Sequence, residues 1–425
     1  MLKNNLAKNV LTYAIGGAIG PAIPFFLLPV MTKYLSPSDY GILSILTAFQ
    51  SISLYIISFN QHSAYTRFFY DNEGQNTKLL MMNNTFVITI IFIIFILITS
   101  TSRNFHNIFI QVDKVWIYLM VFIAYAGSLE LLLKTHMQIA NKPKTYVFIN
   151  VGSALIIALI TLYLVVSKSF LWQGKVYSML IYFTLFLIVF LAYLISNDNF
   201  SLNFNLDIFK ETTRFGAGLL IGSIAGWGLN MSDRFLISGL LNVEDVGKYT
   251  VAHQFGYVVF IIVASIGKAW SPYFWKNFLK KGDEGKDFII KNSRYIFLLV
   301  ILITFLIINL SPFLMEIMVD KQYHESKSYV KWIALGYGIQ GIQVIFIQYI
   351  TFHKKTHFLS FITLLTLIIK LITSYSLINI FGVIGAAWST FICFLFPTLG
   401  IIIYSAILEK EHVFKLFNLN INRML

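Results

Sequence analysis

The chain has 425 residues, of which 57% are hydrophobic and only 12% charged, about half the charged share of an average soluble domain. A membrane-spanning helix needs about 20 apolar residues, so twelve spans leave no room for a separate soluble domain. The net charge of +13 is spread over short connectors, which excludes a basic nucleic-acid-binding tail. The one cysteine, Cys393, lies in an apolar run, so neither a disulfide nor a thiolate metal site is expected.

Apolar runs separated by polar residues predict an all-α polytopic membrane protein with twelve transmembrane helices. The approximate ranges are 10–32, 40–60, 83–101, 115–134, 146–167, 175–195, 214–240, 248–269, 294–315, 329–350, 358–379 and 384–408. If both termini are cytoplasmic, the connectors hold twenty Lys and Arg residues inside and ten outside. The positive-inside rule therefore favours cytoplasmic N and C termini.

The second half of the chain repeats spacings found in the first half. At an offset of 206, Gly16, Gly20, Leu35, Asp39 and Gly41 fall on Gly222, Gly226, Leu241, Asp245 and Gly247. After a gap of five, Gly174 and Ser178 fall on Gly385 and Ser389. Six spans separate equivalent positions, so the halves share one orientation, as in a parallel repeat. The repeat predicts two six-helix lobes, 1–208 and 209–425.

The first and seventh predicted helices have unusual compositions. The first contains several prolines, which kink a helix, and the seventh has glycines at four-residue spacing, which allow close helix approach. These residues are Pro21, Pro24, Pro29, Gly218, Gly222 and Gly226. One interpretation is tight packing. The other is that repeat-related bent helices line a central cleft and flex during transport.

Charged side chains within spans are candidate functional residues, because each costs about 2.5–3.5 kcal/mol at the centre of a span. They are Asp233 and Arg234 in the seventh span, His253 and Lys268 in the eighth, and Lys370 in the eleventh, with Arg67 just beyond the second. Glu130 and Lys134 in the fourth span form an i,i+4 pair that can neutralise itself, which favours a structural role. Arg67 and Lys268 have the alternative of extending to the inner interface. Asp233 is a candidate ion-pair partner of Arg234. Because side chains of adjacent residues leave a helix in different directions, we expect Arg234 to have a further partner as well. Lys370 has no acid in its own helix.

Motifs for enzyme chemistry are missing from the sequence. No Asp-x-Asp pair or GxxxxGK[ST] loop occurs, and the GxGxxG pattern at 336–341 (GYGIQG) lies inside a predicted span and not in a loop, so neither a sugar transferase nor a nucleotide site is indicated. His353 and His357 share a helical spacing but lack a third ligand, which makes zinc a poor candidate. We therefore expect a protein that is not an enzyme and that needs no cofactor.

Three segments resemble the Wzx-type polysaccharide-biosynthesis flippases of the multidrug/oligosaccharidyl-lipid/polysaccharide superfamily. The segments are 26–41 (FLLPVMTKYLSPSDYG), 232–237 (SDRFLI) with 245–247 (DVG), and 382–389 (GVIGAAWS). The resemblance implies two six-helix lobes that form a V around a central cavity lined by helices 1, 2, 7 and 8. It also implies a bacterial inner-membrane flippase that moves an undecaprenyl-pyrophosphate-linked oligosaccharide to the outer leaflet, for O-antigen, lipopolysaccharide or another surface polysaccharide.

A pyrophosphate crossing an apolar cleft requires cationic groups. The substrate-binding candidates are Arg234, Lys268, Arg67, Lys33, His253 and Lys370. The first five belong to the helices that the resemblance places around the cavity, whereas Lys370 on the eleventh helix does not fit its simplest form. Membrane lipids, a polysaccharide polymerase and a chain-length regulator are the further partners that the resemblance implies.

Ion coupling is the remaining expectation, because nothing in the chain binds ATP and transport would draw on a proton or sodium gradient. Asp233 and Asp39 are the candidates, with His253 nearby as a side chain that changes charge near neutral pH. Asp39 has the alternative of capping the second helix. Two further functions stay open: a cation-coupled multidrug exporter or peptidoglycan-precursor flippase of the same superfamily, and a membrane polysaccharide polymerase.

Overall fold

The computed structural model describes residues 19–20, 22–71, 77–101, 112–196, 204–278, 283–410, 413 and 416. Over these residues the regular secondary structure is entirely helical, as the apolar runs predict. The helices before residue 200 are α1 (Leu28–Tyr34), α2 (Pro37–Ser58), α3 (Gln61–Asp71), α4 (Thr77–Thr101), α5 (Lys114–Ile139), α6 (Pro143–Leu162) and α7 (Leu171–Ser196). Those after it are α8 (Leu206–Leu240), α9 (Val243–Phe278), α10 (Asp283–Met318), α11 (Lys327–Phe352), α12 (Thr356–Phe381) and α13 (Val383–Leu408).

Ten helical segments of the described chain are long and apolar enough to cross a membrane. Each coincides with one predicted span, so ten of the twelve predicted spans are confirmed, and the chain is a multi-pass membrane protein. Two short elements extend these spans: a π-helical turn, Tyr163–Ser167, continues α6, and a 3-10 helix, Lys321–Ser326, precedes α11.

The first and seventh predicted spans are the two that do not appear among these ten. The first, 10–32, lies partly outside the described residues. Gly16 and Pro21 are among its residues that lie outside. The seventh, 214–240, lies within α8, a continuous helix of 35 residues and thus about 52 Å long. Six glycines and the charges Asp233 and Arg234 lower the mean hydropathy of α8, which explains why composition alone does not mark it.

Glycines of α8 make close contacts, but not at the predicted stripe. A Cβ at Gly218, Gly222 or Gly226 would meet no described atom within 4 Å, so the described residues do not support the tight-packing interpretation along that stripe. A Cβ at Gly216 would overlap the carbonyl oxygen of Phe59, and one at Gly228 would lie 2.6 Å from Leu367 Cδ1. The close approaches therefore occur at glycines outside the four-residue series.

The second predicted span, 40–60, ends within two residues of its predicted end, and a further helix, α3, follows it directly. Phe59 and Asn60 both adopt the left-handed conformation, with φ of 45° and 53°, and separate α2 from α3. This conformation is costly for Phe and is adopted more readily by Asn. The Asn60 side chain accepts a hydrogen bond from Ser223 Oγ at 3.0 Å, so α8 supplies a partner at the break.

The chain forms two compact units, divided between Trp227 and Gly228. In unit 1, which ends at Trp227, α2 packs on α5, and α6 packs on α7. In unit 2, which begins at Gly228, α11 packs against α9, α10 and α13, while α12 packs on α13. The predicted lobe boundary at 208/209 stays a prediction.

Candidate functional site

The interior of unit 2 contains an ion pair between α8 and α12. Lys370 Nζ lies 2.9 Å from Asp233 Oδ2, and the two side chains are 0% and 2% exposed. The ammonium group also donates to Ser389 Oγ at 3.0 Å and to Thr390 Oγ1 at 2.6 Å, both on α13. A lysine has three N–H donors, so each donor of Lys370 has an acceptor.

The Asp233 carboxylate is equally well bonded. Tyr249 on α9 donates to Oδ2 at 2.6 Å, and Ser374 on α12 donates to Oδ1 at 3.0 Å. A buried ion pair is tolerated only when further hydrogen bonds satisfy both groups, and here α8, α9, α12 and α13 all contribute. The pair thus joins four helices of one unit.

A second buried group, which we call the arginine ring, lies beside this pair. Its members are Asn230, Arg234, His253 and Tyr337, from α8, α9 and α11. Arg234 donates to the carbonyl oxygen of Asn230 and lies 3.2 Å from His253 Nδ1. His253 Nε2 is 2.9 Å from Tyr337 Oη, and Tyr337 donates to Asn230 Oδ1 at 3.0 Å.

The hydrogen-bond pattern of the arginine ring assigns the state of His253. A guanidinium can only donate, so Nδ1 of His253 must be the acceptor and Nε2 must carry the proton. His253 is therefore neutral, and Arg234 remains the one full charge in the ring. Tyr249 links this group to the ion pair: its aromatic ring lies 5.8 Å from Arg234 Cζ, and its hydroxyl donates to Asp233.

These contacts correct the expected partner of Asp233 and identify the partners of Arg234 and Lys370. Asp233 pairs with Lys370 and not with Arg234, because adjacent residues leave a helix about 100° apart. The expected second partner of Arg234 is found in His253 and Asn230. Lys370, which lacks an acid in its own helix, obtains one from α8.

The structure does not bring the other predicted cations into this cluster. Arg67 on α3 is 56% exposed, lies 3.4 Å from Asp71, and stacks 4.8 Å from the Phe215 ring. Lys268 on α9 is exposed. Lys33 at the end of α1 is also exposed and lines an open cavity of about 620 Å³ with Tyr163 and Val166.

Asp39 forms a capping box at the start of α2. Its backbone N–H donates to Ser36 Oγ at 3.1 Å, and its carboxylate accepts from the Ser36 backbone N–H at 3.1 Å. This is the arrangement that satisfies free N–H groups at a helix start. The capping role is confirmed, and the ion-coupling role of Asp39 stays a prediction.

Unit 1 has a buried charge of its own, at the predicted pair Glu130 and Lys134. Their side chains lie 3.5 Å apart on α5, with Glu130 5% exposed. Tyr182 on α7 donates to Glu130 at 3.4 Å, and Lys134 donates to Asn150 on α6 at 3.4 Å. The pair joins three helices, which agrees with a structural role.

No group of three or more His, Cys, Asp and Glu residues that could hold a metal ion occurs among the described residues. His353, one of the histidines weighed as a metal ligand, instead lies 2.9 Å from Glu409 Oε1.

Sequence reasoning missed the neutral partners of the buried charges, namely Tyr249, Tyr337, Ser374, Ser389 and Thr390. Two of them had a usable signal. Tyr249 precedes His253 by four residues and Ser374 follows Lys370 by four, which places each pair on one helix face. Tyr337 has no such signal, because its partners lie on other helices.

Comparisons with known proteins agree with this architecture. Residues 6–278 match the family model described as polysaccharide biosynthesis protein, and residues 219–376 match the MatE model. A protein of the Lsg locus of Haemophilus influenzae is 24% identical over 283 residues, covering 64% of this chain and 67% of the relative. A membrane protein of the same organism is 22% identical over 363 residues, covering 84% and 86%.

Solved structures share the fold at low identity. An inward-facing multidrug resistance transporter of the MATE family in the MOP superfamily has a TM-score of 0.68 at 11% identity, covering 92% of this chain and 96% of that one. The lipid II flippase MurJ in an inward closed conformation has a TM-score of 0.64 at 12% identity, covering 96% and 89%. The superfamily fold that the sequence motifs imply is confirmed.

Proposed function

Because the chain belongs to the polysaccharide biosynthesis protein family, we propose that it is a flippase for surface polysaccharide assembly. The cargo is an undecaprenyl-pyrophosphate-linked oligosaccharide, moved from the inner to the outer leaflet of the bacterial cytoplasmic membrane. In this proposal the protein is a transporter and not an enzyme, and it needs no bound cofactor.

The observation that carries the proposal is the charge balance inside unit 2. Its described interior contains two buried cations, Lys370 and Arg234, but one buried carboxylate, Asp233. Lys370 takes that carboxylate, and the partners of Arg234 are neutral. An uncompensated buried cation is costly, and a pyrophosphate group is the kind of anion that a guanidinium binds through two parallel hydrogen bonds.

Arg234 uses two of its five N–H donors in the contacts described, so donors remain for an anionic ligand. Arg67, Lys268 and Lys33 are exposed, which suits cations that meet a phosphate before it reaches a buried site. His253 contributes by holding the guanidinium, because its Nδ1 accepts from Arg234. Lys370 contributes by forming the ion pair with Asp233. Arg234 therefore has no carboxylate counterion in the described interior of unit 2.

The multidrug-exporter alternative is favoured by the match to the MatE model over residues 219–376. Cationic drugs would be expected to meet buried acids, whereas the excess buried charge of unit 2 is positive. The same excess is compatible with the peptidoglycan-precursor alternative, which differs only in the group attached to the pyrophosphate. A cargo assay therefore has to include both lipid-linked substrates.

The decisive experiment replaces Arg234 by Gln and by Lys in a strain that depends on this protein for surface polysaccharide. We expect Arg234→Gln to abolish export at normal membrane abundance. Arg234→Lys should restore it only in part, since the bidentate contact is lost. Arg214→Gln is the matched control, because Arg214 is an exposed arginine of the same helix.

Export unchanged by Arg234→Gln would contradict the proposal, while loss of the protein itself would identify a structural role. Transport of labelled undecaprenyl-pyrophosphate-linked oligosaccharide by purified protein in liposomes, beside lipid II and a cationic drug, distinguishes the three cargoes.

For energy coupling we propose Asp233, acting through Lys370. The Asp233 carboxylate already accepts three hydrogen bonds out of about four, and the Lys370 ammonium 2.9 Å away repels a metal cation unless Lys370 moves away. A proton would separate the pair by neutralising the carboxylate, so we favour proton coupling over sodium coupling. Transport in liposomes should respond to an imposed proton gradient in the wild type and lose that response in Asp233→Asn with His253→Ala. If transport by the wild type responded to neither an imposed proton gradient nor an imposed sodium gradient, these residues would have no role in energy coupling.

The proposed orientation has cytoplasmic termini, with a polysaccharide polymerase and a chain-length regulator as partners. Reporter fusions after Lys114 and after Lys286 should report opposite compartments. The same compartment for both fusions would overturn the orientation.

A further inference from the structure

A groove between α9 and α10 of unit 2 is unrelated to the buried charge cluster. It has a volume of about 330 Å³ and is lined by Ile266, Ala269, Trp270 and Tyr273 of α9 and by Tyr295 and Leu299 of α10, among others. Both helices are membrane-spanning segments. The volume is at the lower end of the ~300–1,000 Å³ range of small-ligand pockets, so the groove holds part of a chain and not a whole lipid.

One end of the groove is apolar, and two lysines lie within one helical turn of the residues that line the other end, which we call the basic end. Ile266 and Leu299 line the apolar end. Lys276 follows Tyr273 by three residues, and Lys291 precedes Tyr295 by four, so each lysine lies on the helix face that lines the groove. Both lysines are exposed, and no described carboxylate lies within 4.0 Å of either.

Polar groups occur between the two ends. Trp270 is only 6% exposed, and its indole Nε1 has no hydrogen-bond partner among the described residues. A buried N–H without a partner is uncommon and costs free energy. Asn292, one turn from Tyr295 at the basic end, also lines the groove. The groove therefore offers one buried donor, an amide and two cations at one end of an apolar channel.

We propose that this groove binds an anionic phospholipid. A segment of the acyl chain lies between Ile266 and Leu299, the Trp270 N–H donates to an ester or phosphate oxygen, and Lys276 and Lys291 neutralise the phosphate. Basic pockets between membrane helices recognise anionic head groups in this way. Two aromatic rings, Tyr273 and Tyr295, each 58% exposed, flank the level of the head group, where Tyr is enriched. The site is independent of the proposed cargo.

The test is lipid binding by the purified protein, measured by native mass spectrometry with phosphatidylglycerol and phosphatidylethanolamine. The wild type should prefer phosphatidylglycerol. The double variant Lys276→Gln with Lys291→Gln should lose on the order of tenfold in that preference, as expected for two juxtamembrane lysines. Trp270→Phe keeps the ring and removes the donor, so it should weaken binding a few-fold, as for one hydrogen bond.

Two further variants separate the groove from general surface charge. Lys355→Gln removes an exposed lysine that belongs to neither α9 nor α10 and should retain the wild-type preference. Ala269→Phe fills the groove, keeps both lysines, and should lose the lipid. Glycerol phosphate, which has the head-group charge but no chains, should not displace the bound lipid.

Three outcomes would overturn the proposal. Equal retention of both lipids by the wild type would mean bulk lipid only. An undiminished preference in the double variant would place the lipid elsewhere, and displacement by glycerol phosphate would identify a free-anion site. The thermal stability of each variant is measured before lipid binding, and only variants as stable as the wild type are compared.

Discussion

The last two helices of the first half, α6 and α7, and the last two of the second half, α12 and α13, form the same contact with different chemistry. Gly174 and Gly385, which the predicted repeat pairs, each lie against the end of the preceding helix. Ser178 contacts Thr161 of α6 at 2.7 Å, and Ser389 contacts Ser374 of α12 at 2.6 Å. The second helix pair adds a charge to this scaffold, because Ser389 also accepts from Lys370.

The difference indicates that a hydroxyl contact between neighbouring helices is common to both regions, while the ion pair belongs to unit 2. Two hydroxyls need nothing further, since each can donate and accept. A lysine at the same contact needs a carboxylate, which Asp233 supplies from α8. Function specific to one unit is therefore expected in the added charges and not in the shared scaffold.

The largest expected effect follows from breaking the ion pair on one side. Asp233→Asn or Lys370→Met leaves a buried charge without its counterion, which costs about 3–5 kcal/mol of stability. The double variant should regain most of the loss, because both charges are then gone. Thermal unfolding in detergent measures all three, and single variants as stable as the wild type would show that the pair is not buried in the folded protein.

A smaller effect separates the two glycines. A Cβ at Gly385 would overlap the backbone carbonyl of Leu377, whereas at Gly174 the nearest atom is Val165 Cγ2 at 3.0 Å. Backbone cannot give way as a side chain can, so Gly385→Ala should cost about 1–3 kcal/mol and Gly174→Ala less. Melting temperatures of the two variants test this order, and the reverse order would mean that the helix packing differs between the regions.

The paired serines include the smallest expected effect, that of Ser178→Ala. Ser389→Ala removes one of the three acceptors of Lys370 and leaves a buried donor unsatisfied, at about 1–3 kcal/mol. Ser178→Ala should cost less, about 0.5–1.5 kcal/mol, because Thr161 keeps its bond to the carbonyl of Ile157. If Ser389→Ala and Ser178→Ala had equal melting temperatures, the two serine contacts would contribute equally to stability and the prediction would be wrong.

Much of the fold could be predicted, because each span is a continuous apolar run and bilayer thickness sets its length. The left-handed turn at Phe59 and Asn60 and the helix that follows it could not, since neither residue is a glycine or proline and α8 supplies contacts at the turn. Tertiary contact, and not local preference, determines the conformation there.

The candidate site was predictable in its charges and not in its pairing. Hydropathy identifies Asp233, Arg234, His253 and Lys370 as exceptional within spans. Their partners lie far along the chain, as with Ser374 and Asp233, 141 residues apart. Helical periodicity reaches only one or two turns, so it could not assign Lys370 to Asp233 or Tyr337 to His253.

The connection between α12 and α13 has a consequence for biogenesis. α12 ends at Phe381 and α13 begins at Val383, so Gly382, with φ of 68°, is the only residue between them. We expect so short a turn to make the two helices enter the bilayer together as a helical hairpin. Lys370 then arrives in the lipid beside the hydroxyls of Ser389 and Thr390, which lie on the other arm of the same hairpin. In that case the hairpin would lower the insertion cost of the lysine during synthesis, before packing against α8 adds Asp233.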